Sequence, residues 1–194
     1  MSNIYLVSKS PRRKQLLEEM GYNFEVLHFD IEESFPAEFT HEQIAEYLSQ
    51  LKLSAVNFSE YSDNDIFISC DTIVVLGDTI FEKPKTSAEA VEMLRLLSGK
   101  THHVISGVNV VSLSKSITRH SRTEVTFKMF TEEEIQYYVE HYKPFDKAGG
   151  YGIQEWIGLI GVTSIQGCFY NVMGLPTQLL AEMLNLFLSS SSLK

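Results

Sequence analysis

Asp71 interrupts an apolar run, IFISCDTIVVL, that otherwise has the composition of a strand buried on both faces. A carboxylate in such a place is costly unless it is paired, protonated or bound to a metal ion. Gly77-Asp78 predicts a two-residue hairpin turn with Leu76 opposite Thr79. Continuing that register sets Asp71 opposite Pro84 and makes Lys83 its neighbour. An acid and a base at one end of a sheet can line a pocket for chemistry, or can be a structural ion pair. A hard divalent cation takes carboxylate oxygens and usually brings phosphate with it. Glu33, in FDIEESF, is a second acid able to share such an ion, with Glu32 as its rival. Periodicity does not choose between them. Lys52 is the one basic residue near the apolar face of its helix, and on its own it reads as a snorkelling lysine.

A second chemical signal is SKSPRRKQLL, where Ser10 reads as an N-cap and Pro11 as the first helical residue. Arg12 and Arg13 then fall in the first turn, where the helix dipole disfavours positive charge. A strand-to-helix turn exposes unpaired backbone N–H groups and binds anions. Two arginines there make sense if an anion occupies the space between them and the backbone, and the arginine fork suits phosphate oxygens. The plain alternative is that both point outward and pair with Glu18 or Glu19. A third signal is PFDKAGGYGIQEW, whose glycines permit close backbone approach to a ligand. Gln154 follows them with a donor and an acceptor that match the N–H and carbonyl edge of uracil or thymine. By itself it reads first as a surface glutamine in a turn. His102 and His103 are adjacent in a strand-like stretch, point to opposite faces and make a poor metal pair.

The elements that must hold these residues follow from spacing. Strands are expected at Ile4–Val7, Phe24–Leu27, Asp65–Leu76, Thr79–Glu82, Val104–Leu113 and Ser116–Phe130. Helices are expected at Pro11–Met20, from His41 to near Phe58, at Ser87–Leu97, from the Thr131 cap to near His141, and near Thr177–Leu188. The glycine loop should lead into short strands. This mixed order predicts an α/β or α+β domain. Hydrophobic content of 44% over 194 residues is enough for a sizeable core. A net charge of −9 argues against nucleic-acid or membrane-surface binding, so an anionic substrate needs a locally basic pocket and a metal ion. No signal peptide or bilayer-spanning run is expected. Cys70 and Cys168 lack metal-type spacing and are expected to be reduced thiols.

SKSPRR, Glu32-Glu33, CDTIVV, FEKP, LSGKTHHVISGV and DKAGGYGIQ…NVMGLP, in that order, resemble the Maf family of nucleoside triphosphate pyrophosphatases from Ile4 to Leu188. The resemblance implies an α/β fold, an elongated mixed sheet with two lobes flanking a cleft, similar to inosine triphosphate pyrophosphatases. It implies one domain over residues 1–194; the low-complexity serine run from Ser189 to Ser192 marks 189–194 as a disordered tail. It also implies a cytoplasmic enzyme that uses Mg²⁺ or Mn²⁺ and cleaves a nucleoside triphosphate between its α and β phosphates. On this resemblance Glu33 and Asp71 hold the metal, and Asp71 orients the attacking water. Lys52 and Lys83 act with them in catalysis, Ser8, Ser10, Arg12 and Arg13 bind the phosphates, and Gln154 reads the base. Arg12-Arg13, Glu82-Lys83-Pro84 and Tyr151–Gln154 resemble the branch that acts on dTTP and UTP, with modified pyrimidine triphosphates as further substrates. The rivals are 7-methyl-GTP hydrolysis and a nucleotide-binding regulator of cell division. A homodimer is compatible with the sequence. Two residues depart from the family pattern: Lys9 stands where a small residue is common, and Glu155 where glycine is common.

Overall fold

The structure, a computed structural model, describes residues 2–188; the expected tail at 189–194 lies outside the described residues. The elements run β1 (Ile4–Val7), α1 (Pro11–Glu19), β2 (Glu25–Leu27), α2 (His41–Leu51), β3 (Ile66–Leu76), β4 (Thr79–Phe81) and α3 (Ser87–Leu97). They continue with β5 (Thr101–Ser112), β6 (Lys115–Phe127), α4 (Glu132–Tyr142), α5 (Trp156–Gly161), β7 (Val162–Gln166), α6 (Phe169–Met173) and α7 (Thr177–Asn185). The seven strands make a mixed α/β sheet in the order β2-β1-β3-β5-β6-β7, with β4 also on β3. β1 is parallel to both β2 and β3, whereas β4 is antiparallel to β3 and β7 to β6. Among the described residues no helix is long and apolar enough to cross a membrane.

The chain divides into two compact units, and β3 passes from one to the other at Asp71–Thr72. The first takes the described part of 1–71, 106–121 and 174–194. Its parallel strands alternate with α1 and α2, and Tyr5, Val7, Leu53, Val56 and Phe67 form a buried cluster. Tyr5 and Phe67, on neighbouring strands, stack with ring centroids 5.1 Å apart. The second unit takes 72–105 and 122–173. Its core joins Leu94 and Leu97 of α3, Phe127 of β6, Ile135 and Tyr138 of α4, and Ile157 of α5.

Local signals explain most of the boundaries. Ser10 caps α1 by accepting from Arg13 N–H, and Pro11 opens the helix. Thr40 and Gln43 close a reciprocal capping box on α2, as Thr131 and Glu134 do on α4. Two expectations need correction. The helix from His41 stops at Leu51, because tighter turns take over: Leu53 N–H bonds to Gln50 O at 3.0 Å and Val56 N–H to Leu53 O at 3.0 Å. Leu53 and Val56 still bury, which is why apolar spacing alone overruns the helix. After the glycine loop the chain forms α5 and α6 as well as the one strand β7. Helices of six and five residues are too short for periodicity to declare.

Candidate active site

Parallel strands set the stage. Val7, the last residue of β1, pairs with Leu27 of β2 and with Ser69 of β3. Three segments therefore leave or continue from the same carboxyl end: the Ser8–Ser10 turn, the 28–40 stretch that carries Glu33, and β3 as it reaches Asp71. In open α/β sheets that end is where ligands bind.

Three charged side chains converge there. Lys52 Nζ donates to Asp71 Oδ1, lies 3.2 Å from Glu33 Oε1 and 3.5 Å from the Cys70 carbonyl oxygen. Lys52 is the C-cap of α2, where a cation meets the negative end of the helix dipole. Ile44, Ala45 and Leu48 of α2 are buried, and Ser69 Oγ on β3 donates to Ser49 O at 2.5 Å. Gly107 on β5 allows the close approach of α2, since a Cβ there would lie 2.1 Å from Ala45 O. A small residue on one strand thus helps to deliver the lysine at the end of a helix. Glu33 rather than Glu32 makes the contact. The hairpin register is as expected, with Leu76 opposite Thr79, but the ladder ends at Val74–Phe81. Lys83 lies beyond it and is exposed, and among the described residues the cation paired with Asp71 is Lys52.

In the strand-to-helix turn, Ser10 N–H donates to Ser8 Oγ at 3.1 Å and Arg13 N–H to Ser10 Oγ at 3.4 Å. Each hydroxyl oxygen accepts in these bonds and keeps its own O–H as a donor. The two arginines part ways. Arg12 is half-buried, whereas Arg13 is buried with Nε donating to Gly174 O at 2.8 Å. Cys70 Sγ reaches the same carbonyl at 3.3 Å. Glu18 pairs with Lys14 and Glu19 accepts from Gln15, so the acids of α1 are matched along their own helix. Lys9 is matched by Asp30 on the surface.

In the second unit the loop after α4 presents Gln154. Its Oε1 is buried and has no hydrogen-bond partner among the described residues. A buried polar atom left so asks for a ligand or water. Glu155 does not reach that amide: its carboxylate accepts from Tyr138 O–H and sits 3.1 Å from Lys147 Nζ. Tyr138 and Lys147 are not singled out by the sequence, although Lys147 stands in the DKAGGYG stretch. His102 Nε2 is 2.7 Å from Tyr151 Oη of the same loop, and burial pulls the imidazole down to a pKa of about 4. His103, on the other face, meets Glu124 at 3.1 Å.

Glu33 and Asp71 are close enough to share one ammonium, so they suit a divalent ion that takes its other oxygens from phosphate and water. Among the described residues no group of three or more His, Cys, Asp or Glu is set to hold a metal. Neither cysteine forms a disulfide.

A family profile described as "Maf-like protein" matches residues 3–187. Similar sequences include a dTTP/UTP pyrophosphatase of Cytophaga hutchinsonii, 47% identical over 94% of this chain and 83% of that protein. Another, from Bacteroides thetaiotaomicron, is also described as a dTTP/UTP pyrophosphatase and is 46% identical over 90% of this chain and 91% of its own. A solved structure of the HAM1 protein from Coxiella burnetii aligns over 95% of this chain and 98% of its own, with a TM-score of 0.45 and 14% identity.

Proposed function

Because the chain belongs to the Maf-like family, we propose that it hydrolyses dTTP and UTP, and modified pyrimidine triphosphates, to the monophosphate and pyrophosphate. The observation that carries this reading is the Glu33–Lys52–Asp71 cluster, set at the same strand ends as the Ser8–Arg13 turn. Glu33 and Asp71 would hold Mg²⁺ or Mn²⁺, which would supply charge neutralisation at the phosphates and ease ionisation of water. Asp71 orients the attacking water and accepts its proton. The water oxygen bonds to the α phosphorus, the bond from that phosphorus to the α–β bridging oxygen breaks, and the electron pair leaves with pyrophosphate.

Lys52, whose ammonium sits on both acids, meets negative charge as it builds on the phosphates. Arg12, Arg13 and Lys83 contribute further positive charge, and the Ser8 and Ser10 hydroxyls donate hydrogen bonds. Gln154 reads the base, which gives its buried oxygen a partner. A soluble nucleotide substrate suits a cytoplasmic enzyme.

The test is product analysis with Mg²⁺ or Mn²⁺ on a panel of dTTP, UTP, CTP, purine triphosphates and 7-methyl-GTP. Monophosphate and pyrophosphate from dTTP and UTP are expected. Diphosphate and orthophosphate would exclude the reaction. A preference for 7-methyl-GTP would overturn the substrate class, and tight binding without turnover would leave a nucleotide-binding regulator.

A further inference from the structure

The four residues Gly152-Ile153-Gln154-Glu155 form a turn closed by Glu155 N–H donating to Gly152 O at 3.0 Å. Gln154 is its third residue. Both ends of this turn meet one hydroxyl on α4. Gly152 N–H donates to Tyr138 Oη at 2.9 Å, and Tyr138 O–H donates to Glu155 Oε2. The hydroxyl therefore accepts from one end and donates to the other. Tyr138 is fully buried, and burial with the adjacent Glu155 carboxylate pushes its pKa up, so the proton stays on the oxygen.

The carboxylate is held from its other side too. Lys147 Nζ is 3.1 Å from Glu155 Oε1 and 2.7 Å from Asp146 Oδ1, with its side chain only 9% exposed. A largely buried carboxylate with a cation and a hydroxyl on separate oxygens has little freedom to swing. Gly152 makes the arrangement sterically feasible. A Cβ there would lie 2.7 Å from Glu155 Cδ and 2.8 Å from Oε2, so only a residue without a side chain lets the carboxylate lie over the turn. Glu155 also heads α5, with Gly158 N–H and Leu159 N–H donating to its carbonyl at 3.0 and 3.1 Å. The turn is thus tied to α4 through Tyr138 and to α5 through its own last residue.

We infer that Tyr138 and Glu155 are positioning residues for base selection: their hydroxyl–carboxylate bridge locks the Gly152–Glu155 turn and so fixes the direction of the Gln154 amide. This rests on the reading that Gln154 meets the base. The chemistry explains why a fixed direction matters. Uracil and thymine offer an N–H flanked by carbonyls, whereas cytosine offers an amino group and a bare ring nitrogen, so the same amide must flip to pair with it. An amide free to flip serves both; a locked one leaves the wrong base with unpaired polar groups. Glu155 thereby serves as part of the lock.

The test compares kcat/KM for UTP and CTP in wild type, Tyr138→Phe, Glu155→Ala, Glu155→Gln, Gln154→Ala and the Tyr138→Phe/Gln154→Ala double variant. Tyr138→Phe and Glu155→Ala should each narrow the UTP-over-CTP preference by roughly tenfold, mainly through a higher KM for UTP, with the CTP rate little changed. Glu155→Gln still accepts from Tyr138 and should keep most of the preference. In the Gln154→Ala background, Tyr138→Phe should change nothing further, because it acts through the amide. Glu155→Ala, with a side chain 20% exposed, carries the test if Tyr138→Phe fails to fold. A wild-type preference that survives both Tyr138→Phe and Glu155→Ala overturns this inference alone. A wild type that does not separate UTP from CTP overturns the Gln154 reading, and the inference with it.

Discussion

Lys52→Met removes the ammonium from between two carboxylates while keeping most of the aliphatic stem. The Asp71 and Lys52 side chains are 10% and 14% exposed, and Glu33 is 43% exposed. The two limbs of the cluster therefore differ. Losing one partner of a buried pair costs about 3–5 kcal/mol, because the other charge is left in a poor solvent. The Glu33 limb is screened by water and is worth about 0–1 kcal/mol. Asp71 is not wholly sealed, so the lower end applies, and about 3 kcal/mol of stability should be lost near neutral pH. For a chain of this size that lowers Tm by about 6–12 °C.

The assay is thermal unfolding followed by circular dichroism, with chelator present so that no metal substitutes for the ammonium. Lys52→Met/Asp71→Asn, which removes both charges, should recover part of the loss, since a neutral amide then replaces the buried carboxylate. Added Mn²⁺ should raise the Tm of Lys52→Met more than that of wild type, because an ion that binds only the folded chain stabilises it by mass action. A Lys52→Met protein that melts with wild type, or a double variant no more stable than the single one, would refute the view that charge pairing holds this cluster. Activity should fall in Lys52→Met in either case, so the melt and not the rate decides.

Arg12→Ala should lower kcat/KM by the equivalent of about 1.5–3 kcal/mol while leaving Tm near wild type. Arg13→Ala should lose both rate and stability, because it also removes the bond that its buried Nε donates to the Gly174 carbonyl at 2.8 Å; paired melts and kinetics separate the two. Stability should also fall in mild acid. His102 has a pKa of about 4 in the fold against 6.5 when unfolded, since burial disfavours its charged form. Between those values the unfolded chain binds a proton that the fold refuses, so stability is full above pH 6.5 and declines toward pH 4, by about 3 kcal/mol at the low end. His102→Asn, which can keep a polar contact to Tyr151, should flatten the Tm profile across that window; an unchanged slope would assign the acid sensitivity elsewhere.

Much of the fold is legible because its signals are local. Ser10-Pro11 declares the start of α1 through capping and a fixed φ, and Gly77-Asp78 sets the register of β3 against β4. The run from Ile66 to Leu76 reads as a buried strand because nearly every residue is apolar. What is not legible depends on contacts distant in sequence. The C-terminus of α2 is one case, since Leu53 and Val56 continue to bury after the helical hydrogen bonds have changed. The choice of Glu33 over Glu32 is another. Both sit outside any helix or strand, so no period assigns them a face; only the nearby ammonium distinguishes them.

Lys52 shows why a site can hide in an ordinary sequence. On an amphipathic helix a lysine beside the apolar stripe reads as a stem lying on the surface with its charge in water. Three facts far from it in sequence reverse that reading. Gly107 has no side chain, so α2 lies close to β5; Ser69 tethers Ser49; and Asp71 stands two residues beyond Ser69 on the same face of β3. With the helix held there, its last turn points the ammonium at the one buried acid of an apolar strand. Ending the helix at Leu51 matters as well, because Lys52 then meets both the carboxylate and the negative end of the dipole. The cost of burying Asp71 and the purpose of Lys52 are one problem, and neither residue can be interpreted until the sheet has brought them together.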